Sequence, residues 1–146
     1  MGPAFNRQQR LMAPANGREP NGMATIAAIA AGGSLGSLAR YGLDVAIERR
    51  AFSLFPWSTF TINLSGCFLV GLLIAAVVDR HHAPHWLRIG LVVGFCGAYT
   101  TFSTFAQETY GLVEEKAAGL ALLNATASVS LGVLAVLVGE RLGRSW

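Results

Sequence analysis

Apolar residues fall into four long stretches, and the charges fall between them. Asp, Glu, Lys and Arg are absent from residues 20–39, 51–78, 89–107 and 117–139. A helix needs about 20 mostly apolar residues to cross a bilayer, so each stretch is long enough for one span. The pattern predicts helices over 23–47, 57–78, 86–110 and 117–139, behind a tail of residues 1–22. A soluble four-helix bundle would carry Lys or Glu along each outward face, and these stretches carry neither. The expected fold class is an all-α integral membrane protein with four transmembrane helices.

Each stretch has local signals. The first is rich in Ala, Gly and Ser, with Gly32 and Gly36, and Gly33 and Ser37, four residues apart. Small residues at that spacing let helix backbones approach closely. Arg40 and Asp44 share a face towards its far end. The second stretch opens at Trp57 after Pro56, which suits a helix start with an aromatic anchor at the interface. Asn63, Ser65 and Gly66 lie one to two turns further in, and Asp79, Arg80, His81 and His82 return the chain to water. The tail contains Arg7, Arg10, Arg18 and three prolines without an apolar stripe, so disorder is expected there. No clean signal-peptide pattern precedes the first stretch, which is read as a retained span. Met12 and Met23 are alternative starts.

Composition agrees: 53% of residues are hydrophobic and 13% charged, against roughly 25% charged in a soluble domain. The net charge of +3 belongs to loops beside lipid head groups. No basic patch interleaved with aromatics points to nucleic acid. Four spans place both termini on one side, where seven Lys or Arg residues fall, against three on the other. That bias favours cytoplasmic termini. Without the tail the count is four against three, the near-balance of a chain that inserts both ways round. Cys67 and Cys96 show no CxxC spacing and are expected to pack as small apolar residues.

The third stretch holds the chemistry. Residues 94–105 read GFCGAYTTFSTF. Gly94 and Gly97 each weaken a helix by about 1 kcal/mol relative to Ala, and Thr100, Thr101, Ser103 and Thr104 compete for backbone hydrogen bonds. Either the helix breaks here, freeing carbonyls for a hard cation such as Na⁺, or it stays unbroken with its small residues packed on a neighbour. A bilayer tolerates broken backbone only where protein or a cavity shields it. Phe102 and Phe105 share a face, as core or lipid-facing bulk or with their positive ring edges turned to an anion. Asn63 offers two N–H donors. In the fourth stretch Asn124 and Ser128 face together, with Thr126 and Ser130 nearby. Each donor alone is read as a helix–helix hydrogen bond of about 0.6 kcal/mol. A string of them on several helices, without an acid at mid-depth, leans towards an anion route.

GFCGAYTTFSTF, with GGSLGSLARY around Arg40 and TFTINLSGCFLVG around Asn63, resembles the signature of the Fluc/CrcB family of fluoride channels, over residues 23–142. The resemblance implies an antiparallel, dual-topology dimer in the bacterial inner membrane, with the third helix broken near 97–101 and passive export of toxic cytoplasmic fluoride. It implies a central structural Na⁺ held by backbone carbonyls of Gly97 and Thr100. Phe102, Phe105, Asn63, Thr61, Ser128 and Asn124 would line the fluoride route. Arg40 would stand near a pore mouth, and Glu108 matches the acidic position after the signature. The partner would be a second copy, or a paralogue inserted in the opposite orientation. Ala98 stands where the family commonly has a second glycine, and Asn124 where a tyrosine is frequent.

Two rivals belong to other classes. A small proton-coupled multidrug transporter needs a membrane-embedded carboxylate, for which Glu108 is the candidate. An intramembrane enzyme needs a nucleophile and base at one depth, and no Ser–His or Cys–His pair meets that condition. His81, His82 and His85 beside Asp79 read as a solvated loop, with no ligand from another helix to complete a metal site.

Overall fold

A computed structural model describes residues 9, 11–12, 21–78 and 83–145, which are helical apart from short turns. Helix α1 spans Gly22–Glu48 and opens on Asn21, whose side chain accepts from the Ala24 N–H as an N-cap. Helix α2, Trp57–Leu73, continues as a π-helical turn over Ile74–Val78. Helix α3, residues 85–99, is α-helical at His85–Ile89 and Gly97–Tyr99 and wound as a π-helix over Gly90–Cys96. Helices α4, Phe102–Glu114, and α5, Ala118–Ser145, complete the chain.

The spans Gly22–Glu48, Trp57–Val78, His85–Glu114 and Ala118–Ser145 are each long and apolar enough to cross a membrane. The third is divided into α3 and α4. It runs on to Glu114, past residue 110, and the fourth runs past residue 139. Glu140 and Arg144, one turn apart, form an ion pair on the α5 surface. Charges at that spacing prolong a helix instead of ending it. Lys116 closes α4 with a left-handed φ of 59°. The Ala117 N–H reaches the Leu112 carbonyl at 2.8 Å and the Lys116 N–H reaches Val113 at 3.0 Å, the bonding of a Schellman cap.

Glycine sets two helix–helix seams. A Cβ at Gly32 would fall on the Gly90 carbonyl oxygen, and one at Gly36 on that of Phe95, so α1 lies directly on α3. A Cβ at Gly71 would meet the Val136 carbonyl, and one at Gly139 that of Phe68, so α2 lies on α5 in the same way. Lipid gives helices no hydrophobic reason to associate, and close backbone packing replaces it. In the tail, Gln9, Leu11 and Met12 are helical. Leu11 is 7% exposed against Val78 and Ile89, flanked by Ile74 and Val92. The basic residues Arg7, Arg10 and Arg18 lie outside the described residues, and so do Asp79, Arg80, His81 and His82.

Candidate functional site

The third span breaks at Thr100 and Thr101. Both are extended, with φ −80° and ψ 156° at Thr100 and φ −145° and ψ 113° at Thr101. Side chains of the sequence itself hold the break. Thr100 sends its N–H and its hydroxyl to the Cys96 carbonyl, at 3.1 and 3.0 Å. Thr101 caps α4, its Oγ1 accepting from the Thr104 N–H at 3.3 Å. From α2, Asn63 Oδ1 accepts from the Thr101 N–H at 2.8 Å, and Asn63 Nδ2 donates to the Thr101 carbonyl at 3.1 Å. In a continuous helix that N–H would donate to the Gly97 carbonyl. Asn63 takes the donor, and the bond to Gly97 is given up.

Thr101 is a wall shared by two cavities. On one side lies a mostly apolar groove of about 320 Å³, lined by Asn63, Gly66, Cys67, Val70, Thr100, Thr101, Phe102, Phe105, Ser128, Val129 and Val136. On the other lies a polar cleft of about 280 Å³, lined by Ser37, Arg40, Tyr41, Asp44, Thr59, Ile62, Thr101 and Thr104. The Phe102 and Phe105 ring centroids are 5.7 Å apart, with the planes at 41°. Phe102 is 80% exposed, so the groove opens along one flank of the chain.

The other sequence-predicted residues divide. Asn63, Thr100, Phe102, Phe105 and Ser128 meet at the groove, and Arg40 lies on the cleft. Thr61 is on neither lining, and its carbonyl accepts the Ser65 hydroxyl at 2.8 Å. It stands two residues from Asn63, about 200° round the helix. Asn124 is 1% exposed and sits behind Ser128. Its Nδ2 donates to Thr109 Oγ1 at 2.8 Å, and its Oδ1 accepts from Ser128 at 3.3 Å. The Thr109 hydroxyl in turn donates to the Phe105 carbonyl at 2.7 Å. A continuous run of hydrogen bonds therefore ties Ser128 to the backbone of a groove phenylalanine. Thr109 was missed from sequence, although it lies one turn after Phe105, where a hydroxyl can bond back to i−4.

Glu108 Oε1 accepts from Thr59 at 2.9 Å, beside a pocket of about 270 Å³ near the α1–α2 turn that also includes Glu48 and Glu115. Cys96 is buried, whereas Cys67 is half-buried on the groove and not in the core. Its place follows from spacing, because Asn63, Gly66, Cys67 and Val70 share one helix face. No set of three His, Cys, Asp or Glu side chains gathers to hold a metal among the described residues. The oxygens gathered at the break are backbone carbonyls and the hydroxyls of Thr100, Thr101 and Thr104. Gly97 leaves open space on the side where a Cβ would stand.

A family model described as "CrcB-like protein, Camphor Resistance (CrcB)" matches residues 27–140. The chain belongs to the CrcB family. Among its curated CrcB relatives, the "Fluoride-specific ion channel FluC" of Solibacter usitatus is 48% identical over 80% of this chain and 95% of its own length. The protein of the same name from Acidobacterium capsulatum is 46% identical over 79% of this chain and 92% of its own. That of Agrobacterium fabrum is 41% identical over 84% of this chain and 98% of its own. With its four spans, this CrcB chain is a multi-pass bacterial membrane protein. The whole break, from Gly97 to Phe105, lies inside the matched region, and Leu11 lies outside it.

Proposed function

We propose that the chain is a fluoride-selective passive channel that exports cytoplasmic fluoride across the inner membrane and so lowers its toxicity. The break carries the reading: an amide-clasped gap in a transmembrane helix, set between a polar cleft and a phenylalanine-walled groove, in a member of this family. Fluoride is small and strongly hydrated, and moving such an ion into low dielectric costs on the order of tens of kcal/mol if nothing replaces its water. Asn63 spends one Nδ2 proton on Thr101 and keeps the second for the groove. The positive ring edges of Phe102 and Phe105 add neutral dipoles along the same wall, beside the Ser128 hydroxyl, whose proton is held by Asn124 Oδ1. The groove lining has no Lys or Arg that would hold an anion too firmly. Distributed, weak sites let the ion leave again, as conduction requires. On the cleft Arg40 offers a positive charge at the approach to the break, offset by Asp44 on the same lining. Neutral HF crosses the membrane, dissociates inside and is trapped as the anion, which the membrane potential then drives out through the channel.

The open flank at Phe102 supports assembly as a dimer, with a second copy in antiparallel orientation completing the groove. A homodimer from one dual-topology chain is favoured by the balanced loop charges, and an oppositely inserted paralogue is the other form of the same assembly. Two features fit the Gly97 carbonyl to a structural Na⁺ shared with that of Thr100: the hydrogen bond given up at Gly97, and the clear space beside that residue. Sodium bound there supplies fixed positive charge and joins the two broken spans. Neither the fold nor these relatives support a proton-coupled multidrug transporter, and Glu108 is engaged by Thr59. Phe102→Ile and Phe105→Ile should each abolish fluoride efflux from proteoliposomes while the protein still elutes as a dimer. Unchanged efflux in both variants would refute the pore assignment.

A further inference from the structure

Helix α2 holds the broken turn at three points, and two of them act on the α3 side of the gap. Asn63 clasps the Thr101 backbone. Gly66 leaves a hollow occupied by the Thr100 methyl group, next to the Tyr99 ring. Ser65 and Tyr99 share a hydrogen bond between hydroxyls of 2.8 Å. Ser65 Oγ also lies 2.8 Å from the Thr61 carbonyl and 3.0 Å from that of Ile62. Ser65 has a single proton. That proton goes to these carbonyls, so the Tyr99 hydroxyl is the donor to Ser65.

Tyr99 is therefore fixed at both ends. Its ring is stacked on Phe95, with centroids 5.8 Å apart and planes at 8°, and its hydroxyl is tethered to α2. It is the last residue of α3 and lies between Gly97 and Thr100 in sequence. Carbonyls at a helix end lack intrahelical partners, so their direction depends on what restrains the last turn. Asn63 acts beyond Thr100 and does not restrain that turn.

Resting on the sodium reading above, we propose that Tyr99, tied to Ser65, is a positioning residue that sets the direction of the Gly97 and Thr100 carbonyls towards the ion. The stacked ring sets the depth of the turn, and the hydroxyl sets its rotation. Tyr99→Phe keeps the ring and its burial and removes only the tether.

The test is the thermal unfolding midpoint of the purified full-length protein, titrated with NaCl at constant ionic strength against KCl. A ligand that binds only the folded state stabilises it by RT ln(1 + [L]/Kd), so the midpoint begins to climb once the ligand passes its Kd and then rises with the logarithm of its concentration. The native chain should show a rise specific to Na⁺, whose onset marks the apparent Kd. Tyr99→Phe and Ser65→Ala should each move that onset to about three- to tenfold higher Na⁺, the span of one net hydrogen bond. The double variant should match the single ones, and Ser65→Thr should stay near the native value. If the variants lower the midpoint equally at every Na⁺ concentration, with the onset of the rise unmoved, Tyr99 is merely structural and the proposal is wrong while the sodium reading stands. No Na⁺-specific rise in the native chain would overturn both.

Discussion

Replacing Asn63 by alanine tests the break most sharply, because one side chain satisfies both backbone groups of Thr101. The substitution removes the acceptor at 2.8 Å and the donor at 3.1 Å. Thr101 is only 8% exposed, so water does not readily replace them. A buried polar group left without its partner costs about 1–3 kcal/mol, and two such groups give about 2–6 kcal/mol. Helix–helix hydrogen bonds in membranes average only about 0.6 kcal/mol, because the unfolded chain in lipid finds other partners. Thr101 has one such escape, which is to return its N–H to Gly97 and heal the helix, but that erases the gap. Asn63→Ala therefore loses stability or loses the break, and fluoride efflux falls in either case. The assays are thermal unfolding in detergent and fluoride-electrode efflux from liposomes, run on one preparation. Native midpoint and native efflux together would refute the clasp. Asn63→Asp is the companion: it keeps an acceptor for the Thr101 N–H but turns a carboxylate towards the groove, and efflux should stop through charge repulsion.

Other outcomes follow from the packing. Gly139→Val drives a side chain into the Phe68 carbonyl on α2 and should lower stability by about 1–3 kcal/mol, as overpacking does, measured as a fall in the unfolding midpoint. Lys116→Gly relieves the left-handed cap at φ 59°. The relief of about 1–2 kcal/mol, less the entropy a glycine adds to the unfolded chain, should leave a gain of about 0.5–1 kcal/mol and a raised midpoint. Deleting residues 1–12 removes Leu11 from its seat on Val78 and Ile89, and burial of one leucine is worth about 1.5–3 kcal/mol. That deletion should lower the midpoint and leave fluoride efflux intact.

The four spans were legible because lipid imposes a length and forbids charge, and both conditions can be counted along a chain. The small-residue spacing at Gly32 and Gly36 likewise anticipated a close backbone approach along α1, and the structure supplies its partner, α3. The break was legible as an alternative, and what decided it is the contact of Asn63 with a residue 38 positions away, which no local pattern contains. The same limit applies to Asn124. Its residue type suggested a helix–helix hydrogen bond, but the partner, Thr109 on α4, is written in no local pattern. Thr61, which the resemblance puts on the route, stands about 200° round the helix from Asn63 and on neither of the two linings. The helix ends were misjudged where charge was taken as a stop, since Glu140 and Arg144 satisfy each other on the α5 surface.

Ion flux from liposomes containing only the purified chain tests the central claim most directly. Vesicles loaded with fluoride and with chloride are opened to a potassium gradient with valinomycin, and an ion-selective electrode follows each anion. Rapid fluoride release with chloride retained is the predicted result. Chloride release at a comparable rate, or no fluoride release from a folded, reconstituted protein, would contradict it.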